Sequence, residues 1–372
     1  MDARISALAR NLFDHSLALK RGDRVLIEGE AGCEPLVRGL IKEAYERGAE
    51  PFFEVVDPVL RRAQLLGANR GQLDVEASWR LTRIKSMDAR VFILAGSNHF
   101  ELADVPAKAL QDWSLATKPM FDEIMKKRWV LLRFPTASGA QGANMSSEAF
   151  EDFCFRVSTL DYSVLDRAMD PLVDLMAATD MVRIVGPGTD LSFSIKDIPV
   201  VKCAGTLNVP DGEVFTAPVK DSVDGTITFN TSSVMDGVSC ERVGLTFRDG
   251  KVVEETGDPL DRITSILDTD EGARYVGEFA LGVNPHITVP MKDILYDEKI
   301  AGSLHFTPGE AYEDADNGNK SAVHWDLVLI QTAEWGGGEI WFDGRLVRKD
   351  GLFVLPELEP LNPAKLLEAG IG

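Results

Sequence analysis

A change of rhythm between about residues 165 and 180 restricts the folds open to this chain more than any other feature. Before it, short apolar runs alternate with amphipathic stretches: RVLIEGE at 24–30, EPLVRGLIKEAYERGA at 34–49, PFFEVV at 51–56, RVFILAG at 90–96 and RWVLLRFP at 128–135. Strand-like runs separated by helix-like ones predict an open, mostly parallel α/β sheet. Gly48 is placed to end the helix at 34–47, and Ser146 or Ser147 to begin another, with Glu148 and Glu151 favourable to its dipole. After the change, apolar alternation is broken by Asp-Gly pairs at 224–225, 249–250, 343–344 and 350–351. Such pairs between alternating segments are hairpin signals. The expectation is an α/β protein: an amino-terminal α/β domain at 1–170 and a β-rich α+β domain at 171–372, joined through a helix ending near Thr179.

Composition excludes several partners. The 372 residues are 45% hydrophobic and carry a formal net charge of -20. Lys and Arg are scattered singly, so neither nucleic acid nor an anionic lipid surface is an expected partner. The first helix places Ile5, Leu8, Leu12, Phe13 and Leu17 at helical spacing but carries Asp2, Arg4, Arg10 and Asp14, unlike a signal peptide. No apolar run reaches the length of a membrane span, and a cytoplasmic location is expected. Cys33, Cys154, Cys203 and Cys240 lie far apart and read as buried thiols. No G-x-G-x-x-G follows a strand, which weighs against a dinucleotide site. GPGT at 186–189 and GGGE at 336–339 read as turns.

The residues able to do chemistry concentrate in the second half. SAVHWDLVLI at 321–330 reads as a strand, on which Val323, Trp325, Leu327 and Leu329 face one way and His324 and Asp326 the other. Two residues along a strand span about 6.5 to 7 Å, so this imidazole and carboxylate can converge on one ion. A satisfied His and a surface Asp on an edge strand is the alternative. Upstream, HFTPGEAY offers His305 and Tyr312, and the Gly-, Asn- and Asp-rich EDADNGNK lets the chain reverse so that His305 approaches His324. That loop departs from an EF-hand, since Trp325 stands where the closing Glu belongs. Glu213 in NVPDGEVFTAP and Glu278 in ARYVGEFALGVNP each follow a Gly and enter an apolar run. A carboxylate drawn into such a segment needs a partner, either a divalent cation or a base such as Lys220 or Arg274.

NVPDGEVFTAP, YVGEFALG, HFTPGEAY and SAVHWD, in this order, closely resemble the signature segments of the thermophilic metallo-aminopeptidases of the aminopeptidase T and aminopeptidase S type. The likeness extends over nearly the whole chain, including LVRGLIKEAYERGAEP. It implies metal ligands at Glu213, Glu278, His305, His324 and Asp326, with Tyr312 beside the metals. It further implies two divalent ions per chain, commonly zinc or cobalt, a carboxy-terminal catalytic domain, peptide substrates and a homodimer. Glu213 or Glu278 would be the catalytic acid-base, and Tyr312 an oxyanion donor or a ligand. One departure stands out: the family's H-F-A-L-G is here His305-Phe306-Thr307-Pro308-Gly309. Two other readings use the same residues. His305, His324 and Asp326 have the composition of a 2-His-1-carboxylate Fe(II) triad, as in a ring-cleaving dihydroxypyridine dioxygenase, and a peptide-binding scaffold would keep the fold without turnover.

Overall fold

Each apolar run of the first half is followed by a helix that carries the chain back to its starting edge, so the strands pair in parallel. In the computed structural model, which describes residues 2–235 and 238–371, the strands stand in the order Glu50–Val56, Arg24–Glu30, Ala89–Leu94, Arg128–Arg133 and Asn208–Val209. All neighbours are parallel. Val25, Leu26, Ile27, Val91, Ile93, Val130 and Leu132 fill the centre of this sheet. PFFEVV lies at its edge, which is why Phe52 and Phe53 remain exposed. The helix Glu34–Glu46 ends as expected before Gly48, whose φ is +71°. Ser146 caps the helix Ser147–Ser158 by accepting from the Ala149 amide.

The chain divides into two units, Met1–Thr159 with Gly205–Pro210, and Leu160–Ala204 with Asp211–Gly372. The helix Tyr162–Ala177 belongs to the second, where it packs on the strands Val201–Cys203 and Glu213–Thr216. This unit contains a nine-stranded antiparallel sheet and a five-stranded antiparallel one. Three of the Asp-Gly pairs are hairpin turns with both residues at positive φ: 249–250, 343–344 and 350–351. The fourth is not. Asp224 and Gly225 begin the strand Asp224–Thr228, because Gly225 lies against the Asp190 backbone where a side chain would collide with its carbonyl.

The five-stranded sheet runs Leu327–Ile330, Ser303–Pro308, Val276–Gly282, Glu213–Thr216, Val201–Cys203. Phe279 and Phe306 leave one of its faces and meet Phe193 and Phe247 of the larger sheet, with ring centroids 5.0 Å apart for Phe193–Phe279 and 5.8 Å for Phe247–Phe306. This aromatic layer holds the two sheets face to face. The opposite face of the smaller sheet carries an apolar patch of Phe215 and Ala280 under Ala315, and beside it a group of polar residues. Among the described residues no helix is long and apolar enough to cross a membrane.

Candidate metal centre

Strand register brings the expected residues to that face. Glu213 is opposite Gly282, Ala280 is opposite both Phe215 and His305, and Glu278 is opposite Thr307. Side chains directly opposite one another share a face, as do alternate residues of a strand. Glu213, Glu278, His305 and Thr307 therefore project together. A bulge between Val276 and Glu278 aims the latter. It forms at Gly277, where a Cβ would stand 2.2 Å from the Glu310 carbonyl oxygen.

His324 and Asp326 arrive differently from the expectation. The ladder strand covers only Leu327–Ile330, and residues 321–326 precede it, held by a single bridge between Gly309 and His324. The alternation survives, since Val323 and Trp325 are buried while His324 and Asp326 are half-buried. The loop between Gly309 and Lys320 makes the reversal and is tied by asparagines: Asn317 donates to the Pro218 and Val276 carbonyls, and Asn319 to those of Gly272 and Gly309. Gly309, at φ +112°, passes so close to Val323 that an added Cβ would lie 2.0 Å from its carbonyl oxygen.

The resulting ligand atoms fall into overlapping groups, each with its atoms within 4.8 Å of one another: Glu213, Glu278 and His305; Glu278, His324 and Asp326; and Glu298, His305 and Asp326. Glu278 belongs to the first two. Its Oε1 lies 2.7 Å from His305 Nε2, and its Oε2 3.6 Å from His324 Nε2. His324 Nε2 is 3.3 Å from Asp326 Oδ1, and its Nδ1 lies 2.9 Å from the Glu310 carbonyl, which leaves Nε2 facing the site. The Thr307 hydroxyl donates to Asp326 Oδ1 at 2.7 Å. Among the described residues, no such group brings His305 and His324 together: each joins Asp326 through a different carboxylate, Glu298 or Glu278.

Charge accounts for the titration behaviour. Burial opposes a charged His305, but the Glu213 and Glu278 carboxylates outweigh it and raise the imidazole to about 9. Burial likewise opposes a charged His324, while Asp326 and then Glu278 raise it to about 10. Burial would raise Asp326, yet His324 and His305 hold it below the usual carboxylate range. The half-exposed Tyr312 packs its ring 4.5 Å from that of His324, and burial followed by the Asp326 and Glu278 charges pushes its phenol up.

Four residues escaped the sequence reading: Glu298, Lys299, Asp211 and Cys203. Glu298 faces His305 and Asp326, and burial raises its carboxyl to about 8. Lys299 is fully buried, with its Nζ 2.5 Å from Glu213, 2.7 Å from Glu298 and 3.5 Å from Asp211. Gly282 admits this segment, since a Cβ there would stand 2.4 Å from the Ile300 carbonyl oxygen. The available signal was three consecutive charges, Asp297 to Lys299, between the apolar residues of ILYDEKIAG. Cys203, read as one more structural thiol, groups with Asp211 and Glu213.

The family described as thermophilic metalloprotease (M29) matches residues 1–337. This chain belongs to that family. Aminopeptidase T of Thermus thermophilus is 26% identical over 364 residues, covering 84% of this M29 chain and 89% of that protein. Aminopeptidase 2 of Geobacillus stearothermophilus is 26% identical over 391 residues, covering 90% and 91%. The solved structure of wild-type AmpT from Thermus thermophilus has the same fold, with a TM-score of 0.82 at 24% identity over 95% of this chain and 99% of that one. As an M29 metalloprotease the chain is a hydrolase that works with a divalent metal. The residues present fit such an ion: Glu213 Oε2 and Glu278 Oε2 are buried without a hydrogen-bond partner, and His305 turns its Nε2 towards both acids. Unsatisfied buried acceptors are costly, and a shared cation satisfies several at once.

Proposed function

We propose that this chain is a metallo-aminopeptidase that releases amino-terminal residues from peptides, with Glu213, Glu278, His305, His324 and Asp326 holding two divalent ions in a catalytic carboxy-terminal domain. The observation that carries the reading is the overlap of the ligand groups: Glu213, Glu278, Glu298, His305, His324 and Asp326 crowd one site through shared members, more donors than a single four-coordinate ion takes. Charge supports the same count. Asp211, Glu213, Glu278, Glu298 and Asp326 bring five carboxylates to the cluster against the single ammonium of Lys299. Two divalent ions with neutral imidazoles balance that excess. Mixed imidazole and carboxylate donors suit zinc or cobalt. The mononuclear iron reading leaves Glu213 and Glu278 without a purpose.

Bound there, such ions supply a Lewis acid for the scissile carbonyl and lower the pKa of the attacking water. The chain's own groups do the rest. The acidic cluster attracts the free amine of a peptide terminus. Glu278 is committed to both ligand groups, and Glu213 is tied at one oxygen to Lys299. Lys299 holds one oxygen of Glu298 as well, but burial raises this carboxyl to about 8, which gives it the basicity to receive the proton of the water and pass it to the leaving amine. Tyr312, a neutral phenol whose ring lies against that of His324, can donate to the developing oxyanion. The test is metal analysis of the purified protein, together with amino-acid release from short peptides before and after chelation. Full activity in the metal-free protein would refute the reading. The homodimer implied by resemblance is open to sedimentation analysis in the same preparation.

A further inference from the structure

The two ends of the proposed centre are supported by opposite kinds of neighbour. At one end, His324 Nδ1 meets the Glu310 carbonyl at 2.9 Å, and Asp326 accepts from the neutral Thr307 hydroxyl at 2.7 Å. A carbonyl behind an imidazole orients the ring and raises its basicity, and a hydroxyl orients a carboxylate without adding charge. At the other end, His305 Nδ1 is buried without a hydrogen-bond partner. There Glu213 is held by a full positive charge, with its Oε1 2.5 Å from the ammonium of Lys299. Its Oε2 is the oxygen left over, buried without a hydrogen-bond partner and 3.6 Å from His305 Nε2.

Lys299 is not an incidental surface pair. Its side chain is 1% exposed, and Asp211 and Glu298 complete its surroundings. Cys203, Asp211 and Glu213 gather as a metal-ligand group would, and the ammonium stands within reach of the two acids. The chain thus supplies one cation of its own to this end of the cluster.

We propose that Lys299 is a resident cation of the metal centre that makes its two ends unequal. By occupying one oxygen of Glu213, it leaves a single oxygen for a divalent ion and weakens binding at the Glu213–Glu278–His305 end. The Glu278–His324–Asp326 end then fills first. This inference rests on the metal-centre reading given above.

Two effects of Lys299 compete, and their sizes decide the sign. Holding Glu213 in place favours the ion, and losing an orienting partner of this kind lowers metal affinity about 10- to 100-fold. Repulsion between an ammonium and a divalent ion one carboxylate apart opposes it, and at an effective dielectric of about 20 this amounts to several decades. Repulsion is the larger. Removing the charge should therefore tighten the weak end.

The experiment uses the full chain, stripped by chelation and titrated with zinc against a chromophoric chelator. The wild-type protein should show two binding constants at least about tenfold apart, equivalent to about 1.4 kcal/mol. Lys299→Gln should tighten the weaker one at least about tenfold more than it tightens the other, so that the two constants converge, while Lys299→Arg should behave as wild type. His324→Gln should abolish the tighter constant, and Glu213→Gln the weaker. Lys299→Gln removes the counter-cation of three buried acids, so it is also measured from the loaded state, by metal release to the chelator. Equal constants in the wild type, or a weaker constant that is unchanged or loosened in Lys299→Gln, overturns the role of Lys299. Survival of the tighter constant in His324→Gln overturns the assigned order. If the wild-type chain binds no zinc, the metal-centre reading fails and this inference fails with it.

Discussion

Metal loading should expel protons from this protein, most of them from the two histidines. With the centre empty, neighbouring carboxylates raise His305 to about 9 and His324 to about 10, so both imidazoles are charged at pH 7. A ligand imidazole must be neutral. Filling both ends at pH 7 therefore releases about two protons per chain from the imidazoles, and Glu298, raised to about 8, adds most of a third proton. Ordinary histidines near 6.5 and an ordinary carboxyl would together release well under one. At pH 7 the cost is about two decades of affinity for His305 and about three for His324, and each imidazole adds up to one decade per pH unit below its own pKa. The sign for stability follows from the same shift. A raised imidazole pKa stabilises the metal-free fold fully below about 6.5, and that contribution is lost as pH rises through about 9 to 10. The loaded protein lacks it, so the gain in Tm on adding metal should grow from pH 6 to pH 9. Calorimetric titration with zinc in buffers of different ionisation enthalpy counts the protons directly. Fewer than about one proton per chain at pH 7, or an affinity flat between pH 6 and 8, would refute this account of the charge balance.

Other perturbations separate the roles of individual residues. Thr307→Ala deletes the donor to Asp326 Oδ1 and should weaken metal binding about 10- to 100-fold with little change in fold, as read by chelator competition and circular dichroism. Glu298→Gln should lower kcat about 10²- to 10⁴-fold while metal content is retained, and a variant that instead loses metal would make Glu298 a ligand. Gly309→Ala forces a Cβ to within 2.0 Å of the Val323 carbonyl oxygen at a positive φ, so it should cost at least about 2 kcal/mol in denaturant unfolding and displace His324.

Most of the architecture was legible because it rests on local periodicity. Apolar runs separated by amphipathic helices can bury both faces only as a parallel sheet, and residues 24–133 form one. Asp-Gly turns worked where both residues take positive φ, and failed at 224–225, where the reason is a distant neighbour: Asp190 passes against Gly225. The strand assigned to 321–330 was too long because its first half makes one isolated bridge, between Gly309 and His324, and bonds otherwise to turns and to the Asp270 side chain. The alternation that pairs His324 with Asp326 nevertheless held, since it depends on which side of an extended chain is buried and not on a complete ladder.

The residue types of the centre and their order were written in the chain. Glu213 and Glu278 open apolar segments, and the His305, His324 and Asp326 motifs follow in sequence. Their grouping was decided only by tertiary structure. Antiparallel register sets Glu213 across from Gly282 and His305 across from Ala280, which brings Glu213, Glu278 and His305 into one of several overlapping ligand groups. Lys299 reaches Glu213 across 86 positions of sequence. A charged residue in a short run reads as solvated surface when its neighbours are only those beside it in the chain. Whether it becomes the buried counter-cation of an acidic cluster depends on which distant carboxylates the sheet brings to it, and periodicity carries no information about that.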